Sequence, residues 1–152
     1  MAVDTLEFIV TLLTFVSILI VWYWSNKQFK LMREQMEINI FADYTKRYQD
    51  IIMRFPENIN EKTFSYEKLS DEERTNVLRT MRTYFDLCSE EFFLHQKKNL
   101  DKTVWKEWKK GMCYAFKKKA FREAWNKISK DTGYYDEFEK FVNQYMWKGG
   151  SK

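Results

Sequence analysis

The chain has 152 residues, a net charge of +4 and very few residues that break helices. Four glycines and one proline are too few for the tight turns of a many-stranded sheet, so the composition favours long helices. The two cysteines lack the paired spacing of a disulfide framework or a zinc site, and we predict that Cys88 and Cys113 are buried free thiols. We expect an all-α protein.

The first predicted element is an apolar run of 17 uncharged residues, 8–24. A helix of this length covers about 25 Å, close to the ~30 Å of a bilayer's hydrocarbon core. The run ends at Trp22, Tyr23 and Trp24, as segments with membrane-interface anchors do. It lacks the polar stripe of a soluble core helix and the positive start of a signal peptide. We predict that residues 1–24 are a transmembrane anchor.

The charges beside this run predict its orientation. Residues 1–7 contain no Lys or Arg, whereas Lys27, Lys30 and Arg33 follow the run directly. Because positive flanks stay in the cytoplasm, we expect a single-pass protein of the inner membrane with its N-terminus outside. Residues 25–147 are then a cytoplasmic helical domain, and residues 148–152 are a flexible tail.

After the anchor, apolar residues recur at steps of three and four from residue 25 to residue 55, which predicts an amphipathic stalk helix that continues the anchor. Opposite charges four residues apart, such as Asp43 and Arg47, are placed to support this helix. Pro56 ends it, and residues 56–69 predict a connecting loop.

Local signals predict the remaining helices. Ser70 and Glu73 form a capping box before a helix that reaches about Lys97, and Asp101 is placed to cap the next helix. We expect a kink at residues 117–119, a helix stop at Asp131-Thr132-Gly133 and a last short helix at residues 138–145. Together these signals predict a small bundle of about four or five soluble helices.

The residues of catalytic and metal chemistry are sparse. His95 is the only histidine, and Glu91, one turn before it, has no second ligand pair to complete a metal site. Cys88 lies two turns from His95, roughly 10 Å along the axis, too far for a nucleophile and its base. The acidic pair Glu90-Glu91 is interpreted as a solvated surface. We therefore predict no catalytic residue, metal or cofactor.

A basic stretch is the main functional signal. Residues 102–130 hold ten Lys or Arg against two Glu, with aromatic residues between them. Such a face suits anionic lipid headgroups or an acidic protein, and less well nucleic-acid phosphates. The simplest interpretation is that the aromatic residues are core and the basic residues are solvated. The candidate contact residues are Lys106, Lys109, Lys110, Lys117, Lys118, Lys119 and Arg122.

The segment FADYTKRYQDII at residues 41–52, closed by Phe55-Pro56-Glu57, resembles an uncharacterised bacterial family of small proteins with one N-terminal membrane helix and a helical domain of unknown function. Tyr84-Phe85, Glu90-Glu91-Phe92 and the helix around Trp105, Trp108 and Gly111 are similar too. The resemblance implies a bacterial, membrane-associated helical protein and lends no activity. Within it, Tyr44, Arg47 and Tyr48 are a candidate interaction or packing cluster, with Arg47 held by Asp43.

Together these features predict a membrane-anchored helical module or scaffold for protein–protein interaction, with a protein partner or a second copy of itself. Three other hypotheses stay open. One is a membrane effector, for example in phage defence, in which Thr11, Thr14 and Ser17 line assembled membrane helices. The second is lipid or nucleic-acid contact through residues 102–130. The third is a small hydrolase or transferase whose site follows no known sequence pattern.

Overall fold

A computed structural model describes residues 2–98 and 100–147, and this part of the chain is helical and contains no strand. The predicted all-α class is confirmed, whereas the proposed tail at residues 148–152 lies outside the described residues. Two short 3-10 helices, Glu57–Asn60 and Tyr66–Lys68, follow the first long helix. The α-helices are α1 (Ala2–Ile52), α2 (Asp71–Gln96), α3 (Lys102–Phe116), α4 (Lys119–Ile128) and α5 (Asp136–Trp147).

The chain divides into two compact units, Met1–Ile40 and Phe41–Lys152, and the boundary falls inside α1. In the first unit the apolar run is helical, as predicted, and its large apolar side chains between residues 8 and 24 are 44–68% exposed. Among the helices of the described residues, α1 alone is long and apolar enough to cross a membrane.

The second unit has an aromatic core. Its helix α2 packs against α3 and α4, and α3 packs against α4 and α5. Phe85 meets Trp125 edge-on at 5.0 Å between ring centroids, and Phe92 lies 5.1 Å from Phe141. Burying each large apolar side chain contributes about 1.5–3 kcal/mol, so this core holds the four helices together. The largest fully buried side chains are Phe85, Phe116, Phe138, Met81, Leu87, Val142 and Cys88.

The predicted helix starts are confirmed. Ser70 caps α2 in a capping box with Glu73, whose carboxylate accepts a 2.9 Å hydrogen bond from the Ser70 backbone N–H. The Asp101 carboxylate caps α3 by accepting a 2.7 Å bond from the N–H of Thr103. The expected break after α3 is present, because Lys118 is extended and separates α3 from α4.

Two predicted helix ends and the predicted loop differ in detail from the structure. Helix α1 ends at Ile52, before residue 55, and the expected loop contains the two 3-10 helices. The first of them places Ile59 in the core. Helix α4 ends at Ile128, and Gly133 does not take the left-handed conformation of a helix stop. Contacts with α2 hold this turn instead: the guanidinium of Arg82 donates to Thr132, and the hydroxyl of Tyr134 donates to Asp86 at 3.0 Å.

Candidate functional site

The second unit contains a pocket of about 290 Å³ between residues 41–48 of α1, 84–91 of α2 and 107–112 of α3. This volume is at the lower end of small-molecule sites, which typically measure ~300–1,000 Å³. Gly111 and Glu107 are exposed at its rim, so the pocket is open to solvent there. Most of its lining is apolar or aromatic, and the rings are those of Phe41, Tyr44, Tyr48, Tyr84 and Trp108.

The aromatic wall joins α1 to α3. The ring of Trp108 stacks on Tyr44 at 5.2 Å between centroids and on Phe41 at 6.4 Å. Stacked aromatic pairs contribute about 0.5–1.5 kcal/mol beyond the area that they bury, so these contacts fix the position of α3 against α1. Tyr48, one turn after Tyr44 on the same helix, extends the lining toward Tyr84.

Glu91 lies at the inner end of this lining and is only 6% exposed. In the described part of the chain, no hydrogen bond or ion pair reaches its carboxyl oxygens. Burial raises the pKa of Glu91 to about 8, although the positive charge of Arg47 partly opposes the shift. The carboxyl is therefore mostly protonated at neutral pH. The interpretation of Glu90-Glu91 as a solvated surface is wrong for Glu91.

The neighbouring carboxylate, Glu90, forms a bidentate ion pair with Arg47, which favours its ionised form. Its oxygens accept hydrogen bonds of 2.6 and 3.1 Å from Arg47 and one of 3.2 Å from the Tyr44 hydroxyl. The Arg47 bonds hold the pKa of Glu90 below its usual range. The expected pairing of Arg47 with Asp43 is wrong, because the planar guanidinium reaches across to α2 and meets a carboxylate with both nitrogens.

The structure thus brings the predicted cluster of Tyr44, Arg47 and Tyr48 to one site but gives its members different roles. Tyr44 and Tyr48 line the pocket, whereas Arg47 lies outside the lining and joins α1 to α2. Glu91, the central polar group, was missed. One signal was present: Tyr84, Cys88 and Glu91 follow at steps of four and three, which places Glu91 on the buried face of α2.

The structure divides the seven candidate basic residues into three on α3 and four that line a groove. Lys106, Lys109 and Lys110 lie on α3, and Lys109 is 5.3 Å above the ring of Tyr145. The other four line a groove of about 510 Å³ together with Lys62. They are Lys117, Lys118, Lys119 and Arg122.

The aromatic residues of the basic stretch mainly belong to the core. Trp105, Phe116, Phe121 and Trp125 are buried, whereas Tyr114 is 63% exposed. The ammonium of Lys118 donates to the Tyr114 hydroxyl at 3.0 Å and lies 4.2 Å from its ring centroid. This arrangement favours the interpretation of core aromatics with solvated lysines and leaves few rings for stacking on nucleobases.

The remaining candidate groups for chemistry are engaged in packing. The ring of His95 stacks on Trp105 at 4.2 Å between centroids. Cys88 is buried, and burial raises the pKa of its thiol well above the ordinary value, which disfavours a nucleophilic thiolate. Cys113 is only half-buried. Residues 2–98 and 100–147 contain no group of three or more His, Cys, Asp or Glu side chains able to hold a metal ion.

In the first unit, Trp22, Tyr23 and Trp24 are exposed, and the ammonium of Lys27 lies 5.5 Å from the ring of Trp24. The hydroxyls within the apolar run donate to carbonyls of their own helix. These bonds are Thr11 to Glu7 and Thr14 to Val10, both 2.8 Å, and Ser17 to Thr14, 2.7 Å. These three hydroxyl groups therefore find hydrogen-bond acceptors within α1 and need none from a second helix.

No family model matches this chain, and neither a curated protein nor a solved structure matches it. The resemblance at residues 41–57 to a family of membrane-anchored helical proteins stays a prediction.

Proposed function

We propose that the protein is a membrane-anchored binding module, with residues 8–24 crossing the inner membrane and residues 41–147 offering binding surfaces in the cytoplasm. The exposure of the apolar run carries this proposal. Fourteen large apolar or aromatic side chains between residues 8 and 24 are exposed to whatever surrounds the helix. Because hydrocarbon removes such surface from water at about 25 cal/mol per Å², a bilayer is the environment that this segment favours.

Two further observations support the arrangement. The exposed rings at residues 22–24 end the run, and Lys27, Lys30 and Arg33 follow them, as expected for a cytoplasmic flank. Among its described residues, the second unit has a pocket with a buried carboxyl and no assembled catalytic group, which favours binding over catalysis.

Membrane fractionation tests the anchor. Leu13→Arg with Val16→Arg places two charges at the middle of the run, and each costs about 2.5–3.5 kcal/mol at a helix centre. Gln28→Arg with Gln35→Arg adds the same charge outside the run. We expect wild type and this control to stay in membranes washed at alkaline pH, and the first variant to be released. Release of the wild type would contradict the proposal.

A pair of C-terminal fusions tests the orientation. With the domain in the cytoplasm, a green fluorescent protein fusion is fluorescent and an alkaline phosphatase fusion is inactive, because the phosphatase needs export. The reverse pattern would place the domain outside.

A second copy of this chain is the partner that the first unit supports best. Phe29, Met32 and Met36 are exposed at helical steps of three and four, which places them on one face of α1. In membranes, Met32→Cys should form a disulfide-linked dimer under mild oxidation, whereas Lys30→Cys, which points away from this stripe, should not. Equal cross-linking of both variants would indicate random collision.

A second candidate function is contact with anionic lipid through the basic groove. Its lining combines five Lys or Arg with one acid, Glu61, and α4 begins there with no side-chain cap on its first N–H groups. In nanodiscs with phosphatidylglycerol, residues 117–122 should exchange amide hydrogens more slowly than in neutral discs. Substituting Lys117, Lys118 and Arg122 by Gln should remove this difference, whereas Gln at Lys106, Lys127 and Lys130 should preserve it.

A further inference from the structure

The lining of the Glu91 pocket is acidic in a basic protein. Two carboxyls, Glu91 and Glu107, line it, and no Lys or Arg does, although the chain has 26 Lys or Arg against 22 Asp or Glu. The nearest guanidinium, Arg47, is bonded through both terminal nitrogens to Glu90. No basic group of the lining therefore neutralises the buried carboxyl.

The rings of the pocket complement a positive charge. Tyr48 lines the pocket, and in the described part of the chain its ring stacks on no other ring. Trp108, the residue type with the strongest cation–π attraction, lines the pocket from α3 beside Tyr44, on which it stacks. A cation over the face of such a ring is attracted by about 0.5–2 kcal/mol, with the larger value where water is excluded.

Gly111 keeps this space open. It lies in the middle of α3, where glycine costs about 1 kcal/mol relative to alanine. A Cβ at this position meets no atom within 4 Å, so packing does not require the glycine. A larger side chain here would occupy the pocket.

We propose that this pocket binds a small organic cation, whose ammonium group lies between the Glu91 carboxylate and the rings of Tyr48 and Trp108, with Glu107 at the rim. This assignment goes beyond the membrane-anchored binding module and does not depend on the anchor. Binding is an ion exchange: the protonated carboxyl of Glu91 releases its proton to solvent as the cation enters, and charge is conserved in the pocket.

Proton release makes the binding dependent on pH. The groups around Glu91 are Arg47 and Tyr48 from α1, Tyr84, Cys88 and Glu90 from α2, and Glu107 from α3. Burial raises the pKa values of Tyr48, Tyr84 and Cys88 above their ordinary values, and Arg47 lowers that of Glu90. His95, one turn beyond Glu91, lies against Trp105, and burial lowers its pKa. Between pH 6.5 and 8, Glu91 is therefore the group that titrates inside the pocket.

The test uses the full chain in a maltoside detergent, which has no ammonium headgroup, with choline as the probe. Its uncharged isostere, 3,3-dimethylbutan-1-ol, is the control ligand. Calorimetry in two buffers of different ionisation heat should show about 0.9 proton released per choline at pH 7, given the pKa of about 8. The affinity for choline should rise at least tenfold from pH 6.5 to 8, and the alcohol should bind without this dependence.

Variants separate the pocket from the rest of the surface. Glu91→Gln should weaken choline binding at least tenfold at pH 8, and Gly111→Leu should abolish it by filling the space. Glu72→Gln makes the same charge change at an exposed position of α2 and should bind as wild type does. Circular dichroism verifies the fold of each variant, and the wild-type pH profile remains decisive if Glu91→Gln does not fold.

Absence of choline binding to the wild type would overturn the proposal, as would equal binding by Glu91→Gln. Binding of choline and the alcohol with equal affinity would show an apolar pocket without selectivity for charge. Each of these results is independent of membrane fractionation, so a failure of the anchor and a failure of the pocket are distinguishable.

Discussion

Replacing Glu91 by Gln should stabilise the protein increasingly as the pH rises. The pKa of Glu91 is raised by burial from an ordinary 4.5 to about 8, so the folded state binds this proton more tightly than the unfolded state does. Below pH ~4.5 both states are protonated and burial has no pH-dependent penalty. Between pH ~4.5 and ~8 the wild type loses about 1.4 kcal/mol per pH unit, and above pH ~8 the loss is constant at roughly 5 kcal/mol.

The size of the effect follows from the burial of Glu91, a residue only 6% exposed, and from the absence of a hydrogen bond to its carboxyl in the described part of the chain. Glutamine keeps the shape but does not ionise, and any cost of burying its amide is the same at every pH. From pH 5 to pH 7 the stability difference between variant and wild type should therefore grow by roughly 3 kcal/mol. For a unit of this size, that is about 10 °C in melting temperature.

Near-ultraviolet circular dichroism of the full chain in maltoside micelles, melted at pH 5, 6, 7 and 8, measures this difference. At each pH, the melting temperature of the wild type is subtracted from that of the variant, which removes the contributions of other titrating groups that both proteins share. Glu72→Gln is the control at an exposed position of α2 and should not reproduce this growth of the difference with pH. A flat profile for Glu91→Gln would refute the reasoning, since it would mean that the Glu91 carboxyl is hydrated or paired in the folded protein.

Three further predictions concern the Arg47–Glu90 ion pair, the glycine at position 111 of α3 and the Asp101 cap. A double-mutant cycle of Arg47→Ala and Glu90→Ala should give a coupling free energy of about 0.5–1 kcal/mol. Because the pair is partly exposed, this coupling should fall in high salt. Asp43→Ala should show no coupling to Arg47. Gly111→Ala should raise the free energy of unfolding by about 1 kcal/mol, measured by thermal melts, because its Cβ meets open space; a lower melting temperature would contradict this packing. Asp101→Ala should lower stability by about 1 kcal/mol and increase hydrogen exchange in the first turn of α3, and unchanged exchange would exclude the cap.

The features that the sequence determined by itself act over short distances along the chain. The Ser70–Glu73 capping box and the Asp101 cap each need residues within one helical turn, and both are present in the structure. The apolar run at residues 8–24 is helical, and no glycine or proline interrupts its local backbone hydrogen bonds. The all-α class follows from such local signals summed over the chain.

The tertiary structure decided the partners of the polar groups. Asp43 is close to Arg47 in sequence, but Arg47 bonds to Glu90 because α2 brings a carboxylate within 2.6 Å of the guanidinium. The turn before α5 is likewise held by Asp86 and Arg82 of α2 rather than by a left-handed Gly133.

The charge state of Glu91 shows this dependence on tertiary structure most clearly. Helical periodicity places it on the buried face of α2, but its neighbour Glu90 has the same side chain and is ionised. The difference arises because α1 and α3 close an aromatic pocket over one carboxyl and place a guanidinium beside the other. A local pattern specifies which way a side chain points from its helix, whereas its charge state depends on the water, rings and ions that distant segments bring to it.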